Sequence, residues 1–291
     1  VERRLDEGGV PYLQGTGETL RSMQALVRYS SFRRQQRADA PPDGLPPTEL
    51  AHWRNKLRGI KGSLSEIEGR RLLAAYGIPG PREVVATTEQ DCVMAAERIG
   101  YPVVLKIHSA DIQHKTEIGG VRVDLADQSA VLTAYREVMD AARSNYPQAR
   151  LDGVLLQEMM PSDGVEGLLG MLRDPDFGPV VVFGSGGILV ELLKDSTLRL
   201  PPVSHGEALA MIQSTRGSAL YRGFRGSPPA DVEALADAIV RVSRLAIDLG
   251  DLVRAVDINP LIVLPQGQGV CAVDALVEVS SQENLGSLGG L

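Results

Sequence analysis

The residues best suited to chemistry in this 291-residue chain fall together in the stretch VVLKIHSADIQHKTEIGGV, which begins at Val103. An apolar strand carries one lysine, Lys106, and runs into a loop holding His108, Asp111, His114, Lys115, Thr116 and Glu117 before Gly119-Gly120. An ammonium between Leu105 and Ile107 is costly to bury unless an anion meets it. The Gly-Gly pair lets backbone N–H groups approach such an anion, as phosphate-cradling loops do. An edge strand with a snorkelling lysine and a solvated loop accounts for these residues equally well. A partner elsewhere in the chain has to decide.

That partner is AVDINPLIVLPQGQGVCAVDALV, near the C-terminus. Alternation with period two puts Asp257 and Asn259 on one face and Val256 and Ile258 on the other. With Gln266-Gly267 as the turn, Asn259 faces Asp274, because residues equidistant from a hairpin turn oppose each other. Two oxygen ligands then sit about 5 Å apart across the strands, with Asp257 beside them. Mg²⁺ held by one or two protein oxygens and completed by nucleotide phosphates takes such an arrangement. The competing account is the polar outer face of a hairpin. A lysine that meets phosphates and a carboxylate/amide pair that meets their metal make a nucleotide site together more readily than either alone.

Three weaker signals fit the same picture. Gly184-Ser185-Gly186-Gly187, between two β-branched runs, has the composition of a phosphate cover or of a tight turn. Gln157-Glu158-Met159-Met160-Pro161 closes a strand and leaves it extended, so that exposed backbone can read an adenine edge while Met159 or Met160 packs the ring; core filling is the plainer role for methionine. Glu166 follows at a distance suited to a ribose hydroxyl.

These residues need a scaffold, and the chain supplies one. With 43% hydrophobic residues and no disordered or fibrous bias, it can bury one large core or two moderate ones. A formal net charge of -7 argues against a nucleic-acid binder. No run approaches membrane-spanning length, and two cysteines far apart in sequence, Cys92 and Cys271, suit a reduced cytoplasmic protein. A short strand, Val10–Leu13, and a helix through Leu20, Met23, Leu26 and Val27 form a βα unit. The proline-rich ADAPPDGLPPT reads as a linker. Ser63 with Glu66 reads as a capping box opening a helix. Strands alternating with helices up to Tyr146 predict a small α/β lobe; short strands Val154–Met159, Leu168–Leu172, Pro179–Phe183, Ile188–Leu192 and Leu198–Leu200 predict a mostly antiparallel sheet. Helices capped by Ser204 and striped by Val232, Leu235, Ile239, Val242 and Ala246 complete the core.

At this point KIHSADIQHKTEIGGV, QEMMP, GMLRDPDFGP, GSGGILVE and DINPLIV together resemble the ATP-grasp part of nucleoside-diphosphate-forming acyl-CoA synthetases, relatives of the succinyl-CoA synthetase β subunit. The resemblance runs from about Ser63 to Glu278, and ALVRYSSFRR resembles the close of the CoA-ligase half that precedes this part in fused members. It implies an α+β ATP-grasp fold, two α/β lobes clasping a nucleotide. The expected division is 1–37 as a remnant of the upstream domain, 38–62 as linker, 63–279 as ATP-grasp domain with a lid lobe at about 83–150, and 280–291 as a flexible tail.

The resemblance further implies a reversible relay in which acyl-CoA and phosphate give an acyl phosphate, then a phosphohistidine, then ATP from ADP. His114 stands where the family carries a second phosphohistidine, which suits a neutral imidazole on a loop. Asp257 matches the acid that orients it, Lys106 the phosphate-binding lysine, and Asn259 and Asp274 the Mg²⁺ ligands. Gln157, Glu158, Met159 and Met160 match the adenine hinge, Glu166 the ribose contact, and Gly186 and Gly187 the glycine loop. His108 lies outside the pattern, and Ser185 stands where a leucine is commoner. The expected cofactors are ATP or ADP and Mg²⁺, with CoA held by a CoA-binding α-type partner, fused or separate. A small carboxylic acid is the expected substrate, in an oligomeric enzyme that binds neither nucleic acid nor membrane. Competing expectations are a nucleotide-sensing regulatory module of a larger acyltransferase and a different ATP-grasp carboxylate ligase.

Overall fold

Two antiparallel sheets, each with helices laid on one face, divide the chain between two hydrophobic cores. The computed structural model describes residues 15–38, 44–109, 111–112, 115–186, 194–223 and 226–280. Helices α1 (Thr16–Ala38), α2 (Pro47–Arg58) and α3 (Glu66–Ala75) come first. Strand β1 (Glu83–Ala86), helix α4 (Glu89–Ile99), strands β2 (Val103–His108) and β3 (Val121–Leu125), helix α5 (Gln128–Asn145) and strand β4 (Gly153–Glu158) form the smaller lobe. Its sheet has the order β1-β4-β2-β3, every pairing antiparallel. Thr88 opens α4 with a reciprocal cap: its side chain accepts the Asp91 N–H while the Asp91 carboxylate accepts the Thr88 N–H. Gly100, at φ 97°, turns the chain out of the helix as only glycine does readily. The core between sheet and helices holds Ala96, Ile99, Leu105, Ile107, Val131, Val138 and Leu156.

The larger lobe carries β5 (Val165–Asp174), β6 (Gly178–Ser185), β7 (Ser196–Arg199), α6 (His205–Ser214), a 3₁₀ turn (Arg216–Arg222), α7 (Val232–Leu249), β8 (Val253–Val263), β9 (Val270–Ala272) and β10 (Ala275–Val279). The strand order is β10-β8-β5-β6-β7, with β9 also paired to β8. Ser204 and Glu207 cap α6 reciprocally, and the apolar stripe of α7 packs Leu235, Ile239, Val242 and Ala246 into a core with Leu72, Leu169, Phe183 and Val256.

Three expectations are corrected. The 38–62 stretch is not linker throughout, because Pro47–Arg58 is a helix whose Trp53 and Leu57 are buried in the larger core. Its prolines stand before and at the first helical turn, where a missing N–H is no loss. The cap of α3 is Ser65, whose Oγ accepts the Glu68 N–H, and not Ser63, which bridges Glu278. SLSEIE contains the S-x-x-E spacing twice, and strand pairing claims the first serine. Gly153–Glu158 belongs to the smaller lobe, which therefore reaches 158 rather than 150: β4 lies between β1 and β2, buried on both faces. The larger sheet is antiparallel, as its short, evenly spaced strands predict. The expected strands Val10–Leu13 and Ile188–Leu192, together with His114, Gly187 and the tail from 281, lie outside the described residues.

Candidate functional site

The site grows from the pleat of β2. Leu105 and Ile107 turn into the smaller core and are fully buried, so Lys106 and His108 must face the other way, toward the larger lobe. Lys106 is 7% exposed, and its Nζ lies 3.3 Å from Glu66 Oε1 and 4.0 Å from Asp274 Oδ2. The anion that strand chemistry demands is thus present twice. Glu66 comes from the first turn of α3 and also accepts from Lys115 Nζ and, at 2.7 Å, from Arg70 Nη1. Burial alone would raise its carboxyl, but the charges of Lys106, Lys115 and Arg70 outweigh that and hold it well below the usual carboxylate range.

Opposite stands the acidic hairpin. The register Leu261↔Ala272 on one side and Ile258↔Ala275 on the other places Asn259 across from Asp274 in the gap between β9 and β10, as the turn position requires. Asp257 pairs with Leu276 one step further on. Lys106, His108, Lys115, Asp257, Asn259 and Asp274 all line a cleft of about 740 Å³ between the lobes. Burial and the nearby negative charge of Asp274 push the Asp257 carboxyl up. Two carboxylates that repel on neighbouring strands of one hairpin, flanked by an amide oxygen, form the hard oxygen set that a small dication relieves, so the residues fit Mg²⁺. Among the described residues no group of three or more His, Cys, Asp and Glu side chains is placed to hold a metal ion by itself. Such a cation would therefore complete its shell with ligand oxygens.

The remaining expected residues among those described, Gln157, Glu158, Met159, Met160, Glu166 and Gly186, do not line this cleft. Gln157, at the end of β4, is fully buried, its Nε2 3.3 Å from Glu83 Oε2 and 3.4 Å from the Val273 carbonyl. That contact ties the end of β4 to the backbone next to Asp274. Glu158 is held by Arg82 at 2.9 and 3.0 Å, a hydrogen bond that lowers its carboxyl. Met159 and Met160 are half-buried beyond the strand end. Glu166 is exposed on β5, and its carbonyl accepts the Gly186 N–H at 3.2 Å. A Cβ on Gly186 would come within 2.7 Å of the Glu166 and Gly167 backbones, so glycine there serves close strand approach. Ser185 donates to Asp195 at 2.6 Å, and Asp195 in turn accepts the Arg216 and Gly217 N–H groups.

Residue reasoning missed Glu66 and Arg70 and left Lys115 without a role. The i,i+4 spacing of Glu66 and Arg70 signals a helix pair, but no sequence cue shows that the pair is buried under lysines of another lobe.

Comparison with known proteins follows this geometry. Residues 55–279 match the family described as ATP-grasp domain. The chain is 35% identical over 274 residues to the ADP-forming 4-hydroxybutyrate–CoA ligase of Nitrosopumilus maritimus, covering 94% of this chain and 39% of that protein. It is 42% identical over 220 residues to the subunit beta of ADP-forming acetate–CoA ligase I of Pyrococcus furiosus, covering 76% of this chain and 93% of that subunit. The acetyl-coenzyme A synthetase 1 of Ca. Korarchaeum cryptofilum, solved with coenzyme A and Ca-AMPCP, superposes with a TM-score of 0.73 at 40% identity, over 79% of this chain and 98% of that one. A further structure of that synthetase holds coenzyme A and Mg-AMPPCP with its phosphohistidine segment pointing towards the nucleotide binding site; it matches at 36% identity and a TM-score of 0.66, over 78% and 97% of the two chains. The chain thus spans well under half of the first of these relatives and nearly all of the separate beta subunit.

Proposed function

The chain belongs to the ATP-grasp family, and on that premise we propose that it is the nucleotide-binding, phosphoryl-transferring part of an ADP-forming acyl-CoA synthetase. The whole enzyme would convert acid, CoA and ATP reversibly to acyl-CoA, ADP and phosphate. One observation carries the proposal: Lys106 Nζ lies 4.0 Å from Asp274 Oδ2, in a single cleft that Asp257 and Asn259 also line. A nucleotide's phosphates spanning that distance meet an ammonium on one side and oxygen donors for their cation on the other.

In this reading Lys106 neutralises charge on the transferred phosphoryl group and orients it. Asn259 and Asp274 would hold Mg²⁺, which when bound supplies charge neutralisation at the phosphates. His114, by family resemblance, carries the phosphoryl group: its ring nitrogen attacks the γ-phosphorus, the bond to the bridging oxygen breaks, and the electron pair leaves with ADP. Asp257 would accept the hydrogen bond of the other ring N–H and stabilise the charge the imidazole gains. Gln157, Glu158, Met159 and Met160 are assigned to the adenine, Glu166 to the ribose, and Gly186 and Gly187 to the loop above the phosphates.

The separate beta subunit among the relatives supports a CoA-binding partner, fused or separate, that supplies the CoA and acid sites. Residues 1–37 are assigned to that partner's end. Cys92 and Cys271 are both free and buried, which supports a reduced, cytoplasmic enzyme; among the described residues no helix is long and apolar enough to cross a membrane.

Incubation with γ-labelled ATP and Mg²⁺ tests the proposal. Acid-labile, base-stable label that disappears in His114→Asn is the expected outcome; a chain that takes up no nucleotide in the presence of Mg²⁺ refutes it.

A further inference from the structure

Glu66 joins the two lobes at the floor of the cleft. Its helix is anchored in the larger core through Leu72 and Leu73, whereas Lys106 stands on the central sheet of the smaller lobe. The Glu66 side chain is 7% exposed and meets three cations, Lys106, Lys115 and Arg70. Arg70 is itself buried and fixed by Glu83 and by the Val273 carbonyl at 3.2 Å. The carboxylate is therefore held between three cations. Each lysine ammonium has three N–H donors; each meets Glu66, and both lysines line the same cleft.

We propose that Glu66 is a positioning residue for the nucleotide's phosphates, a fixed anion on the larger lobe that aims the two ammoniums of the smaller one. The inference rests on the nucleotide reading of the cleft and deepens it. Without the carboxylate, two ammoniums and a guanidinium would be buried against one another, and mutual repulsion would drive the lysines from their places. A metal-ligand role is excluded by the three cations that surround the group, and a general-base role by the depressed proton affinity that they cause.

Calorimetric titration of the full chain with Mg²⁺–ATP and with adenosine separates positioning from mere support of the fold. Glu66→Gln should weaken Mg²⁺–ATP binding roughly tenfold, the worth of one charge-assisted hydrogen bond, and leave adenosine binding unchanged. In a double-mutant cycle with Lys106→Met the losses should be less than additive: with Lys106 gone only Lys115 is left for Glu66 to aim, so the double variant should lose less than the sum of the two single losses. If E66Q does not fold, Glu66→Asp carries the test, since it keeps the charge but withdraws it by one methylene; the same loss is then expected, and wild-type affinity overturns the proposal. Unchanged or tighter Mg²⁺–ATP binding by E66Q, or additive losses, also overturns it. Failure of the wild-type chain to bind Mg²⁺–ATP would remove the nucleotide reading itself, and this inference with it.

Discussion

Replacing Lys106 with methionine isolates the contribution of the strand-borne ammonium, because the side chain keeps nearly the same length and loses only its charge. In the folded chain Lys106 Nζ contacts Glu66 Oε1 at 3.3 Å, while Glu66 retains Lys115 and Arg70. The variant therefore avoids the penalty of about 3–5 kcal/mol that an orphaned buried charge incurs. The cost to stability should be about 1–2 kcal/mol, one net hydrogen bond to a charged group. Nucleotide binding should suffer more, since the phosphates lose a charge-assisted donor worth about 1.5–3 kcal/mol. That corresponds to roughly 10- to 150-fold in Kd. Urea unfolding gives the first quantity and calorimetry with Mg²⁺–ATP the second. A folded K106M chain whose Mg²⁺–ATP affinity stays within about threefold of wild type, less than 1 kcal/mol, would refute the assignment of Lys106 to the phosphates.

Other perturbations test the scaffold. The Glu66 carboxyl is held below its ordinary value, so its ion pairs contribute stability above that value and lose it as pH falls below about 4.3; urea midpoints of wild type and E66Q should converge on acidification. Trp53→Ala should cost about 3–5 kcal/mol, because Trp53 is 6% exposed within the larger core; a near-neutral effect in urea unfolding would return Pro47–Arg58 to the status of a linker. Gly186→Ala should destabilise by about 1–3 kcal/mol, since its Cβ would meet the Glu166 backbone at 2.7 Å; an unchanged midpoint would show that the strand crossing is not tight.

Much of the site could be read from the sequence because its parts are local. The hairpin register follows from a turn at Gln266-Gly267 and needs no tertiary information, and the observed pairs Leu261↔Ala272 and Ile258↔Ala275 bracket the expected Asn259–Asp274 juxtaposition. Lys106 stood out because a lysine in an apolar strand requires an anion. The identity of that anion was not legible, since Glu66 precedes it by 40 residues and belongs to the other lobe. Duplicate spacing misled at Ser63 and Ser65, where backbone pairing with Glu278 decides which serine caps. Proline composition misled at 47–58, where the burial of Trp53 and Leu57 outweighs it. Strand β4 reads in the sequence as part of the larger sheet, because a strand buried on both faces lacks the alternation that would mark its partner.

The central claim is that the lysine strand and the acidic hairpin meet on one nucleotide through its cation. Electron paramagnetic resonance of Mn²⁺ titrated into the chain, with and without ADP, tests this most directly. The account predicts Mn²⁺ bound by wild type only in the presence of ADP and lost in Asp274→Asn. Equal Mn²⁺ uptake without ADP, or uptake with ADP that survives D274N unchanged, would contradict it.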